Sequence, residues 1–161
     1  MKFLRYALLT GAVAFGVLTP ARSVNKPSIE HGPDRERLIG AWKLVRIDAP
    51  GPDGQPAPIP QPKGMLIYTR DGHMSVQLMY PQQGAKVPSN EYVQDGYEAS
   101  FGSYDVDEAT HTVTHHVQGS ITRGRLAGKD LPRIYQFTAD GHLILRPARR
   151  DEHWSVTWAH Y

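Results

Sequence analysis

Every second connection in this chain is a tight turn, and that alternation constrains the fold more than any other feature. Eight segments alternate apolar and polar residues: Trp42–Asp48, Gly64–Thr69, His73–Tyr80, Phe101–Val106, His111–Gln118, Leu131–Phe137, His142–Arg146 and His153–His160. A period of two places one face of a strand on a core and the other in water. Arg70-Asp71-Gly72, Asp107 to Thr110, and Asp140-Gly141 make the short connections. Asp-Gly supplies the positive φ that a two-residue hairpin turn requires. The remaining connections are longer, and in an antiparallel meander they collect at the opposite end.

A sheet of eight such strands removes its edges most simply by closing. The expectation is therefore an all-β protein, an eight-stranded antiparallel up-and-down barrel with a tight floor and a mouth of long loops. Its interior would hold side chains or one small ligand, and a binding site is expected at the mouth. Three loops drape that end. Ala49 to Pro62 carries Pro50, Pro52, Pro56, Pro58, Pro60 and Pro62 and reads as a stiff connector. Pro81 to Pro88 leads to a short helix expected over Glu91–Ser100, capped by Ser89 or Asn90, although Gly96 weakens it. Gly119 to Asp130 holds Arg123, Arg125 and Lys129 among glycines.

The barrel is expected over residues 38–161. Residues 1–23 have the form of a signal peptide: Lys2 and Arg5, an apolar run from Tyr6 to Leu18, and Ala21-Arg22-Ser23 as a cleavage site after Ser23. That run is too short to span a bilayer comfortably, so membrane contact would come only through an uncleaved signal. Residues 24–37 read as a polar tether with a helical turn at Asp34–Leu38. Cleavage would remove three basic and no acidic residues, turning the formal charge from +2 to −1. No basic excess then argues for nucleic acid. Export together with the absence of cysteine points to a periplasmic or secreted protein held by an ordinary core.

The candidate interior follows from the alternation. It predicts Val113, His115 and Val117 on one inward row, Met74, Val76 and Leu78 on another, and Trp154, Val156 and Trp158 on a third. Along Trp42–Asp48 the signal conflicts: Trp42, Leu44 and Arg46 share a face, while Val45 and Ile47 favour the opposite one. If Arg46 faces inward, it would anchor a carboxylate or another anionic group, since an unpaired buried guanidinium is costly; a snorkelling surface Arg is the plainer reading. Arg46, Tyr104, His115, Tyr135 and Trp158 are the candidate ligand contacts. His115 and His116 point to opposite faces, and His111 lies about 13 Å from His115 along the strand. One strand therefore cannot supply a three-histidine metal site, and no metal is expected. The chain has no phosphate loop, Gly-x-Ser-x-Gly or His-Glu-x-x-His, and neither a cofactor nor a catalytic residue is predicted.

Gly40-Ala41-Trp42 at the start of the first strand resembles the signature of the lipocalin and fatty-acid-binding superfamily. Leu38–Val45, Leu66–Thr69, Asp71–Gln77, Phe101–Asp107 and Thr112–Val117 together resemble the lipocalin-like domain family, from about Leu38 to Trp158. The resemblance implies that Gly40 and Trp42 form the barrel floor, and that the interior holds a small, mostly apolar or amphipathic molecule. It leaves two rivals: an isomerase or cyclase acting on an apolar substrate, with His115 and Tyr104 or Tyr135 as its polar pair, and a filled barrel serving structure or interaction.

Overall fold

The computed structural model describes residues 33–50, 55, 61–81 and 90–161. The expected signal peptide, most of the tether, most of the proline loop and the 82–89 segment lie outside the described residues. Eight antiparallel strands run in sequence order, β1 Gly40–Asp48, β2 Lys63–Tyr68, β3 His73–Met79, β4 Tyr97–Asp107, β5 Thr112–Ser120, β6 Asp130–Phe137, β7 Leu143–Pro147 and β8 Ser155–His160. Each pairs with its neighbour, and β8 returns to β1, so the sheet is a closed barrel. Closure leaves no unpaired edge. The up-and-down barrel expected from loop parity is the fold of this chain.

The two Asp-Gly turns are built alike. The Thr69 N–H donates to His73 O at 2.9 Å and the Gly72 N–H to Thr69 O at 3.1 Å; Thr138, His142 and Gly141 repeat both distances. Gly72 and Gly141 take φ of 89° and 83°, a region in which a Cβ is disfavoured. In both turns the threonine hydroxyl bonds the aspartate that precedes the glycine.

A helix expected over Glu91–Ser100 is absent. Asn90 does supply its cap, its side-chain oxygen accepting from the Tyr92 and Val93 N–H groups at 2.8 and 2.9 Å. The chain then reverses at Asp95-Gly96, both at positive φ, with Gln94 and Tyr97 exchanging backbone hydrogen bonds. Residues from Tyr97 onward extend β4, because pairing with Met79 through Val76 on β3 satisfies their backbone. The helix at the long-loop end is instead α2, Arg123–Leu126, in the glycine- and arginine-bearing connection.

The helical turn expected near Asp34 is present as α1, Pro33–Leu38, and it does more than lead in. The Arg35 N–H donates to Glu108 at 3.0 Å in the β4–β5 turn, Glu36 pairs with Arg70 at 2.7 Å in the β2–β3 turn, and the Tyr135 hydroxyl donates to Asp34 at 3.2 Å. The Arg37 guanidinium lies 3.8 Å from the Phe137 ring centre. Residues 33–37 therefore cross the tight-turn end of the barrel and belong to its floor rather than to a tether.

Candidate functional site

β1 resolves its conflicting alternation with a bulge. Leu44 pairs with Trp158 and Arg46 with Thr157, so Val45 is an extra residue against β8. Trp42, Leu44 and Ile47 consequently all face inward, although their spacing is not uniformly two. Arg46 faces solvent and pairs with Asp48 at 2.8 Å. Of the two readings of Arg46 the surface one holds, and its candidacy as an interior ligand contact is corrected: with Val45 bulged, the residue that follows Leu44 in the ladder must point out.

The other four candidate contacts are buried on the inner face. Tyr104 and Tyr135 are committed at the floor, where the Tyr104 hydroxyl donates to Thr69 O at 2.9 Å and Tyr135 bonds Asp34. Trp42 lies at the same end, its indole N–H donating to Leu38 O at 2.8 Å, and Gly40 packs against His160 with no room for a Cβ. Trp158 is 2% exposed, and its indole nitrogen has no acceptor among the described residues.

His115 faces in and His116 faces out. His115 Nε2 and the Tyr68 hydroxyl lie 2.6 Å apart. Burial, with the nearby Arg133 charge adding to it, holds the imidazole down to about 3. Burial likewise pushes the Tyr68 phenol up. At neutral pH both groups are uncharged and share a single hydrogen bond. Outside the barrel, His116 spans Asp130 at 2.7 Å and Asp105 at 3.0 Å; the Asp130 hydrogen bond is the main reason its imidazole is raised. Among the described residues, no group of three His, Cys, Asp or Glu side chains could hold a metal ion.

Two interior charges escaped the sequence reading. Arg133 lies between Leu131 and Tyr135 on the inward row of β6 and is 5% exposed. Its guanidinium reaches the Tyr92 hydroxyl at 3.3 Å and Pro132 O at 3.4 Å, and it lies 4.8 Å from the Trp154 ring centre. The alternation of Leu131, Arg133 and Tyr135 was a usable signal. Glu98, opposite Leu78 on β4, was hidden by the helix expected over that stretch. Its carboxyl is pushed up to about 7 by burial, with Arg133 pulling the other way. With Ser100 and His115, these residues form a polar layer. It separates the main core from a smaller cluster of Val117, Leu126 and Leu131 under α2.

The inner face is not sealed. Leu44, Val156 and Glu98 point inward from a closed sheet and are each partly exposed. Glu98 and Val156 each lie second in their strands at the long-loop end, so solvent reaches the inner face at that rim. The arrangement sets the apolar Leu44 and Val156 beside a guanidinium and a carboxyl near neutrality.

A family model described as a lipocalin-like domain matches residues 39–159. No curated protein matches. Three solved structures are similar over most of their length. A redesigned β-barrel is 10% identical with a TM-score of 0.43, covering 78% of this chain and 93% of that one. A DUF4847 family protein from Bacteroides vulgatus is 13% identical with a TM-score of 0.44, covering 81% and 98%. A mutant of the fluorescent protein UnaG is 12% identical with a TM-score of 0.38, covering 78% and 96%.

Proposed function

The chain belongs to the lipocalin-like domain family, and from that premise we propose that it is an exported small-molecule-binding protein whose barrel encloses a mostly apolar ligand. The observation that carries this reading is the partial exposure of Leu44 and Val156 on the concave side. Apolar area left facing water forgoes about 25 cal/mol per Å², so an apolar body covering these side chains would be held there.

A second reading, acid–base chemistry on an apolar substrate, draws on Glu98. A carboxyl near 7 can both give and take a proton at neutral pH. His115 suits that role less well, because its nitrogen is engaged by Tyr68 and its imidazole stays neutral down to about 3.

Native mass spectrometry of the protein purified from its own cells tests the first reading. The expected spectrum shows a mature chain beginning after Ser23 and carrying a retained apolar species. A bare mature mass counts against the ligand, and an uncleaved chain counts against export. Glu98→Gln separates the readings once that species is known: binding is expected to persist, whereas turnover would stop.

A further inference from the structure

We infer that Arg133 anchors the anionic head group of an amphipathic ligand whose apolar body lies in the barrel interior. This rests on the small-molecule-binding reading above and adds a chemical class to it.

The guanidinium has no counterion among the described residues. Among the described residues, no carboxylate lies within 4.0 Å of Arg133. Its two hydrogen bonds, at 3.3 and 3.4 Å to Tyr92 and Pro132, are long, and a guanidinium carries five N–H donors. The nearest route to a carboxylate runs through Tyr92, whose hydroxyl donates to Glu152 at 3.1 Å. Glu152 is already matched: it pairs with Arg149 and accepts from the Trp154 indole N–H at 2.7 Å. Glu98 feels the Arg133 charge, but burial raises it into the neutral range. His115, across the layer, is uncharged at neutral pH.

A buried, unmatched guanidinium is costly, and ring faces at 4.8 and 5.4 Å offset only part of that cost. An oxyanion entering from the mouth would meet the planar fork of donors that binds carboxylate, sulfonate or phosphate through two parallel bonds. The Trp154 ring beside the guanidinium and the partly exposed Val156 and Leu44 offer the ligand's apolar part a matching wall. The described residues thus present an interior cation, no anion paired with it, and apolar surface still open to solvent.

Two fluorescent probes with one aromatic skeleton test this on the mature full-length chain: 1-anilinonaphthalene-8-sulfonate and N-phenyl-1-naphthylamine, which lacks the sulfonate. The sulfonate is expected to bind at least tenfold tighter, and Arg133→Met is expected to bring the ratio of the two affinities close to one. Arg133→Lys keeps the charge without the fork and is expected to retain an intermediate ratio. Thermal melting of ligand-free Arg133→Met should show a midpoint no lower than that of the parent, because an unmatched charge has been removed. A lower midpoint with an unchanged affinity ratio in Arg133→Lys would assign Arg133 a structural role and overturn the inference. If the parent binds both probes equally, the anchor fails while interior binding stands. If it binds neither, both readings fail together.

Discussion

The Tyr68 hydroxyl and His115 Nε2 meet at 2.6 Å across the barrel, from strands not adjacent in the sheet. The contact joins β2 to β5 through the interior, where both residues are buried. Tyr68 also packs against Tyr104, ring centres 4.7 Å apart, so the pair sits on the aromatic layer above the floor.

Removing the hydroxyl should therefore cost stability without altering the fold. Tyr68→Phe leaves His115 Nε2 without its partner in a buried site, a loss of about 1–3 kcal/mol. Denaturant unfolding should show a lower midpoint with an unchanged slope. A midpoint equal to that of the parent would mean the hydrogen bond contributes nothing net.

The two interior titrations act in opposite directions. Unfolded His115 takes up a proton near 6.5, whereas folded His115 refuses it until about 3. Its stabilising contribution is complete above 6.5 and is lost as pH falls toward 3. Folded Glu98 holds its proton to about 7, against 4.5 when unfolded. Its contribution is complete below 4.5 and fades as pH rises through 7. His115→Gln should flatten the acid limb of the stability profile, and Glu98→Gln the limb between 4.5 and 7. Denaturant titrations across that range would read both; unchanged limbs would contradict the burial assigned to these groups.

The bulge at Val45 makes a prediction about deletion. Removing Val45 restores simple alternation, with Leu44 and Ile47 still inward and Arg46 still outward. That variant should fold with a loss of about 1 kcal/mol or less, in the ordinary range for a surface change. Removing Lys43 instead shifts Trp42 against Leu44 by one residue and sends one of them to the wrong face. It should fail to give a native near-ultraviolet circular dichroism spectrum. Equal behaviour of the two deletions would argue against the register.

Gly102 and Gly124 should respond oppositely to alanine. A Cβ at Gly102 would come within 2.0 Å of His116 O and 3.0 Å of Gln118 N, both backbone atoms. Gly102→Ala must push β5 away, at a cost of about 1–3 kcal/mol. Gly124 lies in α2 with nothing near its missing Cβ. Gly124→Ala should be neutral or stabilising by up to about 1 kcal/mol. Thermal melts of the two variants make the comparison.

Much of the fold was legible because its signals are local. Asp71-Gly72 and Asp140-Gly141 mark their turns wherever the strands lie, and the parity of connection lengths follows from counting along the chain. The candidate site was less legible. Alternation places His115 and Trp158 on the inner face, whereas the candidate contacts Tyr104 and Tyr135 spend their hydroxyls on Thr69 and Asp34 at the floor. Arg133 carries the same alternating signal as Leu131 and Tyr135, but a charged residue on such a row does not by itself reveal that it is buried. Glu98 was lost with the misread helix, because Asn90 caps a turn as readily as a helix.

The sequence by itself determined the strand count, the tight floor, the long-loop mouth and the apolar rows, since period-two patterns and glycine turns act between residues close in the chain. Only the tertiary structure decided which charges lie inside. The Val45 bulge, which turns Arg46 out, exists in the register of β1 against β8, more than a hundred residues away. Glu98 faces the interior because β3 and β5 claim its strand, and among the described residues Arg133 has no counterion, Glu152 being matched by Arg149. Pairing across the barrel sets these outcomes, and no window of the chain contains both partners.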